Sequence, residues 1–164
     1  MPCRIFAGMK NDLLIRTGRQ EDIAEALELV KELAVFERAP DAVEVSIEEM
    51  SRAGFGEEKI FDFFVAELEG KVVGIALYYF KYSTWKGRCL YLDDLIVTES
   101  YRGKGIGEKL LNAVLDAGRK AQVRRVEWQV LNWNHPAIAF YKKIGAELDD
   151  EWVNCRYYFN DKPD

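Results

Sequence analysis

Apolar residues recur at helical spacing in the first part of the chain, where Ile23, Leu27, Val30, Leu33 and Ala34 fall on one face. That period predicts an amphipathic helix with one buried side, opened by Arg19-Gln20-Glu21-Asp22. It ends at Val35-Phe36-Glu37-Arg38, ahead of Pro40, because the residue before a proline is pushed out of the helical region. Ser46-Ile47-Glu48-Glu49 is a capping box and predicts a second short helix to about Ala53, ended by Gly54-Phe55-Gly56. The same period returns at Ile106, Leu110, Leu111, Val114 and Leu115. A fourth helix runs from about Pro136 to Ile144 and stops at Gly145. Between these, strand-like stretches cover Leu13 to Arg16, Phe61 to Leu68, Lys71 to Tyr82, Arg88 to Val97, Arg124 to Val130 and Glu151 to Phe159. Glu69-Gly70 reads as a tight hairpin turn. The order is β-α-α-β-β-β-α-β-α-β, with no internal repeat, low-complexity tract or linker.

The 164 residues suit one domain, expected over 13–164 with 1–12 as a lead-in. An apolar fraction of 49% beside 31% charged residues is that of a soluble globular protein. A net charge of −5 argues against a general nucleic-acid binder and fits cationic small molecules better. Cys3, Cys89 and Cys155 are odd in number and in no C-x-x-C pair, so they read as free thiols of a reducing compartment. One histidine, His135, leaves no zinc constellation and disfavours a serine or cysteine hydrolase. With no run of 18 apolar residues and no signal-peptide core, no membrane partner is expected and the location reads as cytoplasmic.

The chemistry concentrates where the strand Leu90 to Val97 meets the third helix, across Arg102-Gly103-Lys104-Gly105-Ile106-Gly107. Alternating glycines at a helix start expose backbone N–H groups, and the positive end of the helix dipole adds to them. Arg102 and Lys104 bring charge to the same loop, which reads as a cradle for phosphate or pyrophosphate. A dinucleotide fingerprint requires glycine where Glu108 stands, and the P-loop pattern is absent. A glycine-rich turn without a ligand remains the competing reading of the glycines alone.

This hexapeptide matches the [QR]-x-x-G-x-[GA] loop and so resembles the GNAT (GCN5-related) N-acetyltransferases. The likeness extends over about Leu13 to Phe159. Leu33-Ala34-x-Phe36-Glu37, Gly54-Phe55-Gly56, Gly74-x-Ala76-x-Tyr78-Tyr79-Phe80-x-Tyr82, Trp85-x-Gly87, Leu90-Tyr91-Leu92-Asp93-Asp94 and Trp133-Asn134-x-Pro136-x-Ile138-x-Phe140-Tyr141 resemble the spermidine/spermine (diamine) acetyltransferase branch and its thialysine-acetylating relatives. The resemblance implies an α/β (α+β) acyl-CoA N-acyltransferase fold, a central mixed, mostly antiparallel sheet flanked by helices. It also implies acetyl-CoA as co-substrate, no metal, a small cationic amine as acceptor and a homodimer.

By that resemblance, Leu95, Ile96 and Val97 bond the acetyl-pantetheine arm, and a main-chain N–H of Ile96 or Val97 polarises the thioester carbonyl. Arg102, Gly103, Lys104, Gly105, Ile106 and Gly107 hold the pyrophosphate. Asn134, Pro136 and Tyr141 complete the cofactor side, with Tyr141 the general acid for the departing thiolate. A core tyrosine with a satisfied hydroxyl is the alternative that pattern alone favours.

Asp93 and Asp94 lie in an otherwise apolar strand, where regular geometry turns only one toward a given side. Buried carboxylates are costly unless paired or used, and a structural ion pair would bury one equally well. The resemblance assigns Asp93 to the amine and to proton removal, Asp94 to support, and Glu37 to the distal cation of a diamine. Phe36 and Asp93 stand where the branch often has tyrosine and glutamate, which leaves the amine open. Phe36, Trp85, Trp128 and Gln129 fall at substrate-lining positions. The alternatives are a non-catalytic acetyl-CoA or polyamine binding module, and a GNAT acting on protein amines.

Overall fold

The computed structural model describes residues 13–159. They divide into two compact units, 13–129 and 130–159. The expected lead-in over 1–12 and Cys3 lie outside the described residues.

The first unit is built on a five-stranded sheet in the order β1-β2-β3-β4-β5. Its strands are β1 (Leu14–Thr17), β2 (Asp62–Leu68), β3 (Lys71–Ser83), β4 (Gly87–Val97) and β5 (Val126–Glu127). Neighbours from β1 to β4 run antiparallel, and β5 joins β4 in parallel. The β2–β3 hairpin turns at Glu69-Gly70, both in the left-handed region at φ 53° and 77°. Two such residues in a row give the turn whose twist matches paired strands.

Helices α1 (Ile23–Phe36) and α2 (Ile47–Phe55) share a core with one face of the sheet. Ile23, Leu27, Leu29 and Met50 meet Phe63, Val65, Ile75, Leu77 and Ile96 there. Arg16 fixes the entry to α1. It donates to both oxygens of buried Asp22 at 2.7 and 2.8 Å and to Glu67 at 2.8 Å. Asp22 also accepts the Arg19 N–H, so this carboxylate is paired and stays below its ordinary range, chiefly through Arg16. Ser46 caps α2 by accepting the Glu49 N–H at 3.1 Å, as the capping box requires. The helix runs past Ala53 to Phe55 and ends at Gly56, so Gly54 lies inside it.

Helix α3 (Ile106–Lys120) packs against β2, β3 and β4 and buries Ile106, Leu110, Leu111 and Val114. At Gly74 a Cβ would come within 2.9 Å of the Ile96 carbonyl and 3.1 Å of Leu110, so glycine permits this approach.

The second unit holds α4 (His135–Lys143). Asn134 caps it, its side chain accepting the Ala137 N–H at 3.3 Å, and Pro136 lies in the first turn. Gly145 at φ 85° closes it, with the Ala146 N–H on the Tyr141 carbonyl.

Two strand expectations change. The strand expected over Arg124 to Val130 contracts to Val126–Glu127, which pair with Leu90 and Tyr91. The strand expected over Glu151 to Phe159 does not form, and these residues are exposed. Their aromatic and β-branched content suits a pleated surface, but a strand exists only through a ladder, and content does not specify a partner.

Candidate active site

Strand β4 departs from a regular course in its pairing with β3. Leu77 faces Asp94 and the next residue, Tyr78, faces Leu92, which leaves Asp93 as the extra residue of a β-bulge. A bulge breaks strict alternation. Asp93 and Asp94 lie close enough there for their charges to act on one another. The half-buried Asp94 carboxyl is pushed up to about 7, first by burial, then by the negative charges of Asp93 and Glu37. Partial burial also raises Asp93 and Glu37. Glu37 reaches this group because α1 ends there, its N–H bonded to the Leu33 carbonyl at 2.8 Å. Three carboxylates thus share one neighbourhood, and their mutual repulsion favours a cation among them.

Beyond the bulge lies an aromatic floor. Tyr79 of β3 faces Tyr91 of β4, with ring centroids 5.4 Å apart. Burial and then the charge of Asp93 raise the Tyr79 phenol, which places the pair beside the acids. Lys81 lies 5.4 Å from the Tyr91 centroid and pairs with Glu127 at 3.0 Å. Arg125 pairs with the other Glu127 oxygen at 3.0 Å. None of Tyr79, Tyr91, Lys81 or Glu127 stands among the sequence-derived site residues. Period-two alternation from Leu77 through Tyr79 to Lys81 puts these side chains on one face and is the signal that could have found them.

After Tyr91 no strand pairs with the outer side of β4 among the described residues, and the Val97 carbonyl accepts a hydrogen bond from Arg102 Nε at 2.7 Å. This strand leads through a short turn, Glu99–Tyr101, to the glycine loop. Gly103 and Gly105 have φ of 74° and 75°, and a Cβ at either would meet open space. Their glycine identity therefore answers to backbone shape, not to packing. The first bond of α3 runs from the Lys109 N–H to the Gly105 carbonyl. The N–H groups of Ile106, Gly107 and Glu108 start the helix without intrahelical partners, at its positive end. This uncovered cradle fits a pyrophosphate. Lys104 is exposed, its ammonium 5.2 Å from the Tyr101 ring centre. Arg102, also exposed, reaches back toward Val97, Glu32 and Phe36.

Trp85 stands 80% exposed on the loop between β3 and β4. Trp128 and Gln129 follow β5 at the end of the first unit. In the second unit, Asn134 and Tyr141 lie seven residues apart, two turns along α4. Tyr141 is half-buried, 5.4 Å from Phe140 between ring centres, and burial raises its phenol. Among the described residues no group of three or more His, Cys, Asp or Glu side chains is arranged to hold a metal. Nor is any helix there long and apolar enough to cross a membrane.

The chain matches the acetyltransferase (GNAT) family over residues 23–146. It is 39% identical over 143 residues to the thialysine N-epsilon-acetyltransferase of Bos taurus, covering 82% of this chain and 84% of that one. It is 37% identical over 139 residues to the human spermidine/spermine N(1)-acetyltransferase-like protein 1, covering 80% of this chain and 20% of that protein. An aminoglycoside acetyltransferase from an uncultured soil metagenomic sample shares the fold at a TM-score of 0.76 and 22% identity, over 92% of this chain and 99% of the other. The chain belongs to the GNAT acetyltransferase family, enzymes that transfer an acetyl group from acetyl-CoA to an amine.

Proposed function

We propose that the acceptor is a primary amine of a small cationic molecule, either a diamine or polyamine or a thialysine-like amino acid. The meeting of Asp93, Asp94 and Glu37 beside the Tyr79–Tyr91 floor carries this reading. Carboxylates hold ammonium groups, and aromatic faces attract cations and cover methylene stems. The names of the bovine and human relatives agree with a small cationic acceptor.

Acetyl-CoA supplies the activated acetyl group. The cradle Gly103 to Gly107 holds its pyrophosphate through main-chain N–H groups, with Lys104 adding charge. The stretch Leu95 to Val97, which no strand among the described residues pairs on its outer side, aligns the pantetheine arm, and the N–H of Ile96 or Val97 faces the oxygen on which charge develops. The amine arrives as an ammonium of pKa about 10 and must lose a proton before it attacks. Asp93, with Asp94 beside it, binds that ammonium and accepts the proton directly or through water. A carboxyl raised by its surroundings is a better acceptor than an ordinary one. Tyr141 gives its phenolic proton to the departing thiolate. Burial keeps this phenol protonated at neutral pH, which suits an acid. Asn134 and Pro136 shape the start of the same helix, and Trp85, Trp128 and Gln129 line the acceptor's approach. The reading includes a homodimer located in the cytoplasm.

Glu37 is assigned the second charge of the acceptor. Glu37→Gln is expected to raise the KM for diamines about tenfold, the scale of one charge-assisted hydrogen bond, and to leave that for matched monoamines unchanged. Steady-state thiol release with both series checks this, and equal effects on the two would remove the distal-cation role.

A further inference from the structure

Arg102 opens the glycine loop, and its side chain, 36% exposed, reaches back to the end of β4 and to α1. Its Nε donates to the Val97 carbonyl at 2.7 Å, one Nη lies 3.4 Å from Glu32, and its guanidinium sits 5.1 Å from the Phe36 ring centre. The same Glu32 oxygen accepts the Glu99 N–H at 2.8 Å. One carboxylate of α1 therefore holds both the turn before the cradle and the residue that begins it. The Thr98 N–H, bonded to the Val73 carbonyl at 2.9 Å, anchors the other end of that turn to the sheet. Gly103 and Gly105 gain no rigidity from side chains of their own, and a Cβ at either would touch nothing. The shape of the cradle is consequently set by what grips its entrance. Its Nε and one Nη are engaged by the Val97 carbonyl and Glu32, so part of the effect of Arg102 on the cofactor runs through the backbone.

Phe36 links this knot to the acceptor site, because the next residue along α1 is Glu37. The ring under Arg102 and the carboxylate near Asp94 are thus adjacent in the chain.

We propose that Glu32 and Phe36 are positioning residues that act through Arg102, Glu32 setting the pyrophosphate cradle and Phe36 fixing the acceptor's distal carboxylate relative to it. This rests on the reading of the cradle and the acid group given above. Cofactor affinity and acceptor selection then share one connection, from the cradle through Arg102 to the end of α1. Neither residue touches a reacting atom, so both act on binding more than on turnover.

The test measures CoA affinity by calorimetry, kcat and KM for acetyl-CoA and for a diamine, and melting temperature. It compares wild type with Glu32→Ala, Glu32→Gln, Phe36→Leu and Phe36→Tyr. Glu32→Ala is expected to weaken CoA at least tenfold, with kcat at saturating substrates within about twofold of wild type. Glu32→Gln still accepts the Glu99 N–H but lacks the charge, and should fall between. Phe36→Leu removes the cation–π face and should raise the diamine KM severalfold, whereas Phe36→Tyr, which keeps the ring, should be clearly less impaired than Phe36→Leu. Folded Glu32 variants with wild-type CoA affinity would overturn the inference alone. So would a Phe36→Tyr enzyme as impaired as Phe36→Leu, or a loss confined to kcat. A wild-type protein that does not bind CoA would overturn the reading of the cradle instead.

Discussion

Tyr141→Phe is expected to lower kcat by at least a hundredfold while CoA affinity stays within about threefold of wild type. Positioned proton transfer is typically worth 10²–10⁴ in rate, and removing the hydroxyl removes the donor while leaving the ring and its packing. The direction of the effect follows from the phenol's state. A free phenol loses its proton near pH 10, and burial moves Tyr141 higher still. A CoA thiolate, with a conjugate thiol near pKa 8.5, thus meets a group that is protonated throughout the neutral range. Single-turnover acetylation under saturating acetyl-CoA, beside calorimetric CoA binding, separates chemistry from affinity. A rate equal to wild type would remove Tyr141 as the acid and leave the half-buried aromatic of α4 with a packing role.

Asp94→Asn is expected to change both stability and acceptor binding, each with a definite pH dependence. The Asp94 carboxyl titrates near 7 in the folded protein, against an ordinary value of 3.8. Between roughly pH 4 and 7 the folded chain holds a proton that the unfolded chain has released, so this residue's contribution to stability falls as pH rises through that window. The asparagine variant does not ionise. Its melting temperature should exceed wild type at pH 8 and match it at pH 4. Binding should move oppositely. Above pH 7 the ionised wild-type carboxylate attracts the ammonium, and the variant should bind a diamine about 10–100-fold more weakly, the range for a charge-assisted contact. Near pH 6.5 the wild-type protein should release a proton as the diamine binds, visible as a buffer-dependent heat. Identical melting at both pH values, with no proton release, would contradict the shared acid group.

Much of the fold follows from local pattern. The helix faces, the Ser46 capping box, the Glu69-Gly70 hairpin and the Gly145 helix stop all depend on residues within a few positions of one another. What pattern could not supply was partnership at a distance. Glu151 to Phe159 has strand-like content but forms no strand, since pairing depends on an edge elsewhere. Alternation alone would put Asp93 and Asp94 on opposite sides, and it does not foretell the bulge, which arises from the β3–β4 register. Arg102 illustrates the same limit. A basic residue on a phosphate loop suggests an anion ligand, but not that it also meets Glu32 and Phe36, some seventy residues earlier. Glu32 gave no local sign of this, being one of several polar residues on α1.

The most direct measurement is free-thiol release from acetyl-CoA against spermidine, spermine, putrescine, thialysine, lysine and a peptide amine, each compared at equal concentration. The account predicts strong preference for one or more of the small di- or polycationic amines or thialysine, with one acetyl group added per thiol released. Equal or greater activity on the peptide amine, or tight acetyl-CoA binding with no thiol release for any small amine, would contradict it.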